Sequence, residues 1–199
     1  MMSNATGKNL LFAGVGGQGI LLTAELAARA AIHADFDAKK TEVHGAAQRG
    51  GSVVSHVRFS EKVYSPLTAV GEVDILLAME KLEGLRWAHY VRDGGTILLN
   101  SEQRMPAAMD SKGVNYPANI DSFLSSKGYS VTVIEATDIA TCLGNFRTAN
   151  IVLLGAMAEL TGIADEHWLA VMKENLNPKI LDVNLRAFEK GRELTRVTA

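Results

Sequence analysis

Two short stretches of this chain carry groups suited to holding an anion. Gly14-Val15-Gly16-Gly17-Gln18-Gly19 is a phosphate-cradle type of turn. Gly14 permits the tight turn, Gly16 lets the backbone approach a ligand, and Gly19 lets the next helix pack on the strand. Free amides at the start of that helix, at the positive end of its dipole, attract phosphate or carboxylate. Downstream, Glu42-Val43-His44-Gly45-Ala46-Ala47-Gln48-Arg49-Gly50-Gly51-Ser52 is a polar loop flexed by glycine. Arg49 can clamp a phosphate or carboxylate bidentately, and Gln48 and His44 add hydrogen bonds. A strand-to-helix turn needs glycines even where it binds nothing, so either stretch alone is ambiguous. Together they predict a small-molecule site built from loops on an α/β sheet. Its residues are Gly14, Gly16, Gly17, Gln18, Gly19, His44, Gln48, Arg49, Gly50, Gly51 and Ser52.

The elements around them follow from hydrophobic periodicity. Asn9 to Ala13 is a short apolar run stopped by glycine, which predicts a fully buried strand. Gly16 to His33 predicts a helix with Glu25 and Arg29 one turn apart on its polar side. Lys40 to Val43 is a weak strand. Ser52 to Phe59 alternates, with Val53, Ser55, Val57 and Phe59 on one face, and the turn at Ser60-Glu61-Lys62 predicts a hairpin into Val63-Tyr64. A strand over Val73 to Met79 and a helix over Lys81 to Val91 come next. Asp93-Gly94-Gly95 ends that helix, and Thr96 to Leu99 is a further strand. From Ser101 to Asn119 the pattern lapses around Pro106, Gly113 and Pro117, an excursion long enough to predict exposure or partner contact. A helix over Ile120 to Ser126 and a strand over Ser130 to Glu135 lead into a helical remainder. Its helices are predicted over Thr137 to Leu143, Thr148 to Leu160, Asp165 to Asn175 and Lys179 to Lys190. The expected fold is α/β, one domain over residues 1–199, with a largely parallel sheet, helices on both faces, an added β-hairpin and a helical C-terminal part.

Composition narrows the functions. A net charge of −2 lacks the basic surplus of a nucleic-acid or membrane-surface binder. Residues 39–62 hold Lys39, Lys40, Arg49, Arg58 and Lys62 against Glu42 and Glu61. That local positive balance suits an anionic ligand or, equally, solvated strand ends. Cys142 is the single cysteine and reads as a small buried hydrophobe; one cysteine builds neither a disulfide nor an iron–sulfur site. No signal peptide opens the sequence and Glu25 and Arg29 interrupt its apolar stretch, so a cytoplasmic location is expected. A dinucleotide fold wants an acid ending the second strand. Glu42, in a polar strand running into His44-Gly45, meets that need poorly. The five histidines show no metal-ligand spacing. Asn150 enters a very apolar helix and must find partners, through capping and core contacts or through a ligand.

These residues resemble the gamma-type domain of the 2-oxoacid:ferredoxin oxidoreductases, and within it the indolepyruvate branch, over nearly the whole chain. The resemblance runs through Gly14 to Gly19, Glu42-Val43-His44-Gly45, Gln48 to Arg58, Tyr64-Ser65-Pro66, Gly144-Asn145 and Thr148-Ala149-Asn150. It departs at Ala46-Ala47, where relatives commonly have Met and Ala after the glycine. It implies oxidative decarboxylation of an aryl 2-oxoacid to an acyl-CoA, with electrons passed to ferredoxin. It also implies that thiamine diphosphate, Mg and [4Fe-4S] clusters belong to a larger alpha subunit, with no cofactor held by this chain alone. Coenzyme A would be the co-substrate, held or enclosed by the glycine turn and the Arg49 loop. The other reading is a stand-alone nucleotide-binding or regulatory domain without redox activity.

Overall fold

Strands that are apolar on both sides need cover on both sides, and this requirement organises the molecule. The computed structural model describes residues 7–44, 51–105 and 115–196. Among these, β1 (Lys8–Val15), β2 (Asp37–His44), β3 (Ser52–Ser60), β4 (Val73–Ala78), β5 (Val91–Asn100) and β6 (Ser130–Ile134) form one sheet. Its order is β2-β3-β1-β4-β5-β6. β1, β4, β5 and β6 run parallel, while β3 lies antiparallel to both β1 and β2. Leu10 and Phe12 of β1 point to one face and Leu11 and Ala13 to the other, and all four are fully buried.

One face carries α1 (Ile20–His33), α4 (Ala136–Cys142), α5 (Ala149–Thr161), α6 (Asp165–Asn175) and α7 (Pro178–Arg196); the other carries α2 (Lys81–Trp87) and α3 (Ile120–Ser126). α5 is apolar all round because it lies between the sheet and α7, with Ile151 to Ala158 buried. Two glycines let α5 and α7 cross closely. A methyl group on Gly191 would run into the Val152 carbonyl, and one on Gly155 into the Phe188 carbonyl. Beside this crossing, the buried Arg192 guanidinium bridges Glu159 on α5, at 2.8 Å, and Asp165 on α6.

The α/β architecture is as expected, but several local expectations are corrected. The antiparallel partner of β3 is β2 and not Val63-Tyr64. β3 uses both edges, against β1 and β2, so nothing remains for Val63-Tyr64 to pair with. Val63 instead gives its amide to Asp37 at 2.9 Å, and Tyr64 is 89% exposed. Nor does β3 alternate in burial, since Val54, Ser55 and His56 are as buried as Val57. α2 stops at Trp87, and Asp93-Gly94-Gly95 lies inside β5, where the register with β4 shifts. α7 runs beyond Lys190 to Arg196, because Gly191 serves the crossing and does not end the helix. Cys142 is exposed; the residue of α4 that packs inward is Ala140, and two residues along a helix turn Cys142 to the other side. The described cations of residues 39–62 are spoken for locally: Lys39 and Lys62 face Asp37, Lys40 faces Glu25 and Glu42, and Arg58 donates to Asn9, Ser65 and Leu67. Among the described residues, no helix is long and apolar enough to cross a membrane.

Replacing Gly191 with Ala should lower stability by about 1–3 kcal/mol, because the added methyl meets backbone and not a movable side chain. Urea unfolding of the two proteins measures the difference; equal midpoints would show that α5 and α7 have room to part.

Candidate functional site

The glycine turn joins β1 to α1 at the carboxyl edge of the sheet. Gly17 and Gly19 sit at φ 102° and 84°, in the left-handed region that glycine alone enters without strain. Gln18 folds back over the turn. Its Oε1 accepts from the Val15 amide at 2.7 Å and its Nε2 donates to the Met79 carbonyl at 3.2 Å. A Cβ on Gly14 would come within 2.8 Å of that Oε1, so Gly14 makes room for Gln18. The side chain predicted to touch a ligand thus bolts the turn to the end of β4. Among the described residues the amides of Gly17 and Gly19 have no acceptor, and they remain available to an anion.

The two sequence stretches meet. The Gly16 amide donates to the Gly51 carbonyl at 2.9 Å, and Val15 pairs with Ser52 across β1 and β3. His44 closes β2 opposite Val53. The loop between β2 and β3 therefore leaves and re-enters the sheet beside the glycine turn. Gln48, Arg49 and Gly50 lie outside the described residues. Ser52 turns to the opposite face, where its hydroxyl donates to the buried Glu83 and accepts from Trp87 Nε1 at 3.3 Å. It anchors the loop's base to α2.

Two clefts flank the turn. One, of about 540 Å³, is lined by Gly16, Ile20, Leu21, Leu22 and Val53 and is mostly apolar. The other, of about 560 Å³, opens over the carboxyl ends of β4 and β5 between Gly17–Gly19, Asn100, Arg104, Thr137, Arg147 and Asn150. β1 leads through α1 towards β2, and β4 leads through α2 the other way towards β5. The second cleft therefore stands at the topological switch point, where open α/β sheets bind ligands.

The polar cleft holds buried groups without partners. Asn100 is 2% exposed; its Nδ2 donates to the Met79 carbonyl at 3.2 Å while its Oδ1 accepts nothing among the described residues. Asn150 is 7% exposed and its side-chain amide lies against Gly19, with no hydrogen bond from that amide to another described residue. It does not cap α5, whose N-cap is Thr148. That removes the capping role for Asn150, whose amide packs instead against Gly19 at the wall of the cleft. Among the described residues, the Arg147 guanidinium meets the Phe146 ring, 5.9 Å from its centroid. Glu102 sits beside Arg104, at 2.5 Å.

A buried carboxylate shapes the rim. Glu80, 1% exposed, caps α2 by accepting from the Glu83 amide at 3.0 Å. Its other oxygen accepts from the Arg104 amide at 2.9 Å and the Tyr116 hydroxyl at 2.5 Å. Both described ends of the excursion between β5 and α3 are thereby fastened at one point. Burial, and then the neighbouring Glu80, push the Tyr116 phenol well above its ordinary value. Sequence reading missed Glu80, Asn100, Arg104, Thr137 and Arg147. Only Glu80 and Asn100 left a signal, as polar residues closing apolar strands. Among the described residues no three His, Cys, Asp or Glu side chains gather to hold a metal.

Gly19→Ala should cost about 1–2 kcal/mol through its left-handed φ alone. It should also displace the Asn150 amide, a change that amide NMR shifts of α5 would report. Tyr116 gives a pH test. Unfolded tyrosine ionises near pH ~10, and folded Tyr116 ionises only at higher pH, so the native state holds the proton longer. The stability that Tyr116 adds over Tyr116→Phe should then fall as pH rises above about 10. A stability difference that does not change with pH would show that the phenol is not held in this way.

The profile of the pyruvate ferredoxin/flavodoxin oxidoreductase family matches residues 9–194. The chain is 36% identical to the indolepyruvate oxidoreductase subunit IorB of Thermococcus kodakarensis, over 92% of this chain and 93% of that one. Against the ketoisovalerate oxidoreductase subunit VorA of Methanothermobacter thermautotrophicus it is 33% identical, over 92% of this chain but 35% of that longer one. In structure it superposes on the gamma subunit of a keto/oxoacid ferredoxin oxidoreductase from Geobacter sulfurreducens with a TM-score of 0.72 and 25% identity, over 96% and 99% of the two chains. It shares its fold, at TM-score 0.76 and 22% identity, with 31% of the 2-oxoglutarate:ferredoxin oxidoreductase chain of Magnetococcus marinus, solved with 2-oxoglutarate, coenzyme A and succinyl-CoA bound. This chain belongs to the pyruvate ferredoxin/flavodoxin oxidoreductase family, as an oxidoreductase subunit of the gamma type.

Proposed function

We propose that this chain is the small (beta) subunit of a cytoplasmic, indolepyruvate-type 2-oxoacid:ferredoxin oxidoreductase. The observation that carries this reading is the end-to-end identity with subunits named for indolepyruvate. The reaction converts an aryl 2-oxoacid, coenzyme A and two oxidised ferredoxins into acyl-CoA, carbon dioxide, two reduced ferredoxins and a proton. One cysteine cannot ligate an iron–sulfur cluster, so no electron-transfer step is assigned to this chain. The clusters, thiamine diphosphate and Mg are assigned to a larger alpha subunit, which also meets ferredoxin.

What this chain contributes is a place for the co-substrate. The amides of Gly17 and Gly19, which meet no acceptor among the described residues and lie at the approach to the N-terminus of α1, suit the pyrophosphate of coenzyme A. β2 and β3 end beside the turn, and in this reading Arg49, with His44 and Gln48, closes over the same anion. The amide of Asn150 borders the turn and adds a donor and an acceptor. A stand-alone regulatory domain would have no need of kinship with redox subunits along its whole length.

Anaerobic purification of the tagged chain from its native cells tests the assignment. The expected eluate contains a large, brown partner and reduces a low-potential dye only when indolepyruvate and coenzyme A are both present. A colourless, inactive chain purified alone would overturn it. In the active complex, Arg49→Ala should raise the KM for coenzyme A about tenfold, the scale of one charge-assisted contact. An unchanged KM would remove Arg49 from the site.

A further inference from the structure

The connection from β3 to β4 runs from Ser60 to Val73 at the amino edge of the sheet, opposite the glycine turn. It contains Tyr64-Ser65-Pro66, a stretch of the family resemblance for which the candidate site has no use. On the face of the sheet that carries α2 and α3, these helices pack over β1, β4, β5 and β6. Over β3 lies the connection itself, as a strap. Its Thr68 amide donates to Nδ1 of the buried His56 at 3.4 Å. The Arg58 guanidinium donates to the carbonyls of Ser65 and Leu67, at 3.2 and 3.0 Å. Asp37 takes the Val63 amide, and the Asn9 side chain donates to the Glu72 carbonyl at 2.9 Å.

These fastenings all grip the backbone of the strap. The side chains between them stay outside: Tyr64 is almost fully exposed, Leu67 55% and Val70 61%. On a loose loop such exposure would mean little. Here the backbone is held, so the apolar side chains stand at fixed places and a contact need not order them first. A tyrosine and two aliphatic residues presented together suit the centre of a protein interface better than a face in water.

What covers them follows from where the ends of the unit lie. β1 starts at the amino edge, and Gly7 before it lies against Ser60. α5 starts beside Gly19, at the carboxyl edge, and crosses the sheet back towards the amino edge. There Arg196, at the end of α7, meets Glu159 at 3.2 Å. Both ends therefore emerge at the amino edge. In the VorA relative a unit like this one is 35% of a longer chain. The rest of that chain, whether it precedes or follows, is joined at this edge. A separate subunit needs a non-covalent contact in place of that join. Resting on the function proposed above, we propose that Tyr64, Leu67 and Val70 form the apolar centre of the surface that docks the larger subunit. The face they meet is apolar, with an acceptor for the Tyr64 hydroxyl. A second copy of this chain fits less well, because the outer strand β2 beside the strap is blunted by charge. The contact anchors the subunit and leaves the carboxyl edge, with its glycine turn, clear for ligand.

The tagged chain, wild-type or variant, is produced in native cells lacking their own copy and purified anaerobically. The amount of large subunit carried per tagged chain is the readout. Leu67→Asp with Val70→Asp should lower it about tenfold, since the centre of an interface does not bury two unpaired carboxylates. Tyr64→Lys should lower it to a similar degree, at a side chain that little in the chain itself covers. Leu67→Met keeps the apolar surface and should keep the wild-type amount. Urea midpoints of the isolated chains should agree, because all these changes lie on the surface. Undiminished capture by the double variant and by Tyr64→Lys would overturn the proposal. Loss of capture matched by a lowered urea midpoint would overturn it too, by showing that these side chains serve the chain's own fold. So would a wild-type chain that sediments as a dimer which the double variant breaks while capture is unchanged, since a second copy then covers the strap. A wild-type eluate without any large subunit would overturn the functional reading, and this proposal with it.

Discussion

The carboxyl edge of the sheet is organised by the two residues that follow β4. The Met79 amide donates to Ala13 at 2.8 Å, which ties the ends of β4 and β1 together. The Met79 carbonyl accepts from Gln18 and from Asn100, so one oxygen aligns the glycine turn with the end of β5. Glu80 then collects the start of α2 and both described ends of the excursion. Each of these groups is polar and lies at the rim of an otherwise apolar sheet, where an unmade hydrogen bond costs about 1–3 kcal/mol. The need to satisfy them places the turn, the cleft and the rim in one arrangement. The residues left over, Asn150 and the free oxygen of Asn100, are thereby conspicuous.

Local pattern made much of this legible in advance. The helices over Ile120–Ser126 and Asp165–Asn175 follow the periodicity residue for residue, because their inward stripes and flanking polar residues are written within one element. β1 is equally plain, since both its faces are buried. Pairing between elements is not written locally. Nothing within Ser52–Ser60 says that both of its edges are taken, so Val63-Tyr64 looked like its partner. The last helix runs past its predicted end at Lys190, because the reason for Gly191 is the Val152 carbonyl on another helix. The site divides along the same line. The glycines of the turn were visible by spacing, whereas Gln18 could be seen as polar but not as a brace. Asn100, Thr137 and Arg147 converge only through the order of the strands.

The comparisons give this edge its setting. The same fold occurs as a separate subunit in Geobacter sulfurreducens and as roughly a third of a longer chain in Magnetococcus marinus. A unit that occurs both free and joined to other chain must carry its own core, and the two packed faces of this sheet meet that requirement. The glycine turn and its two clefts are confined to one edge, so loops there can vary without disturbing the helices on either face.

β2 is an outer strand of the sheet, and one of its edges is unpaired. An open edge is a template on which another molecule's strand can dock, and proteins blunt such edges with charge. β2 carries Asp37, Lys39, Lys40 and Glu42 in eight residues, and their mutual ion pairs hold them in place along it. A polar strand that fits poorly into a nucleotide-binding pattern thus has a colloidal use. It discourages edge-to-edge pairing with the sheets of neighbouring copies.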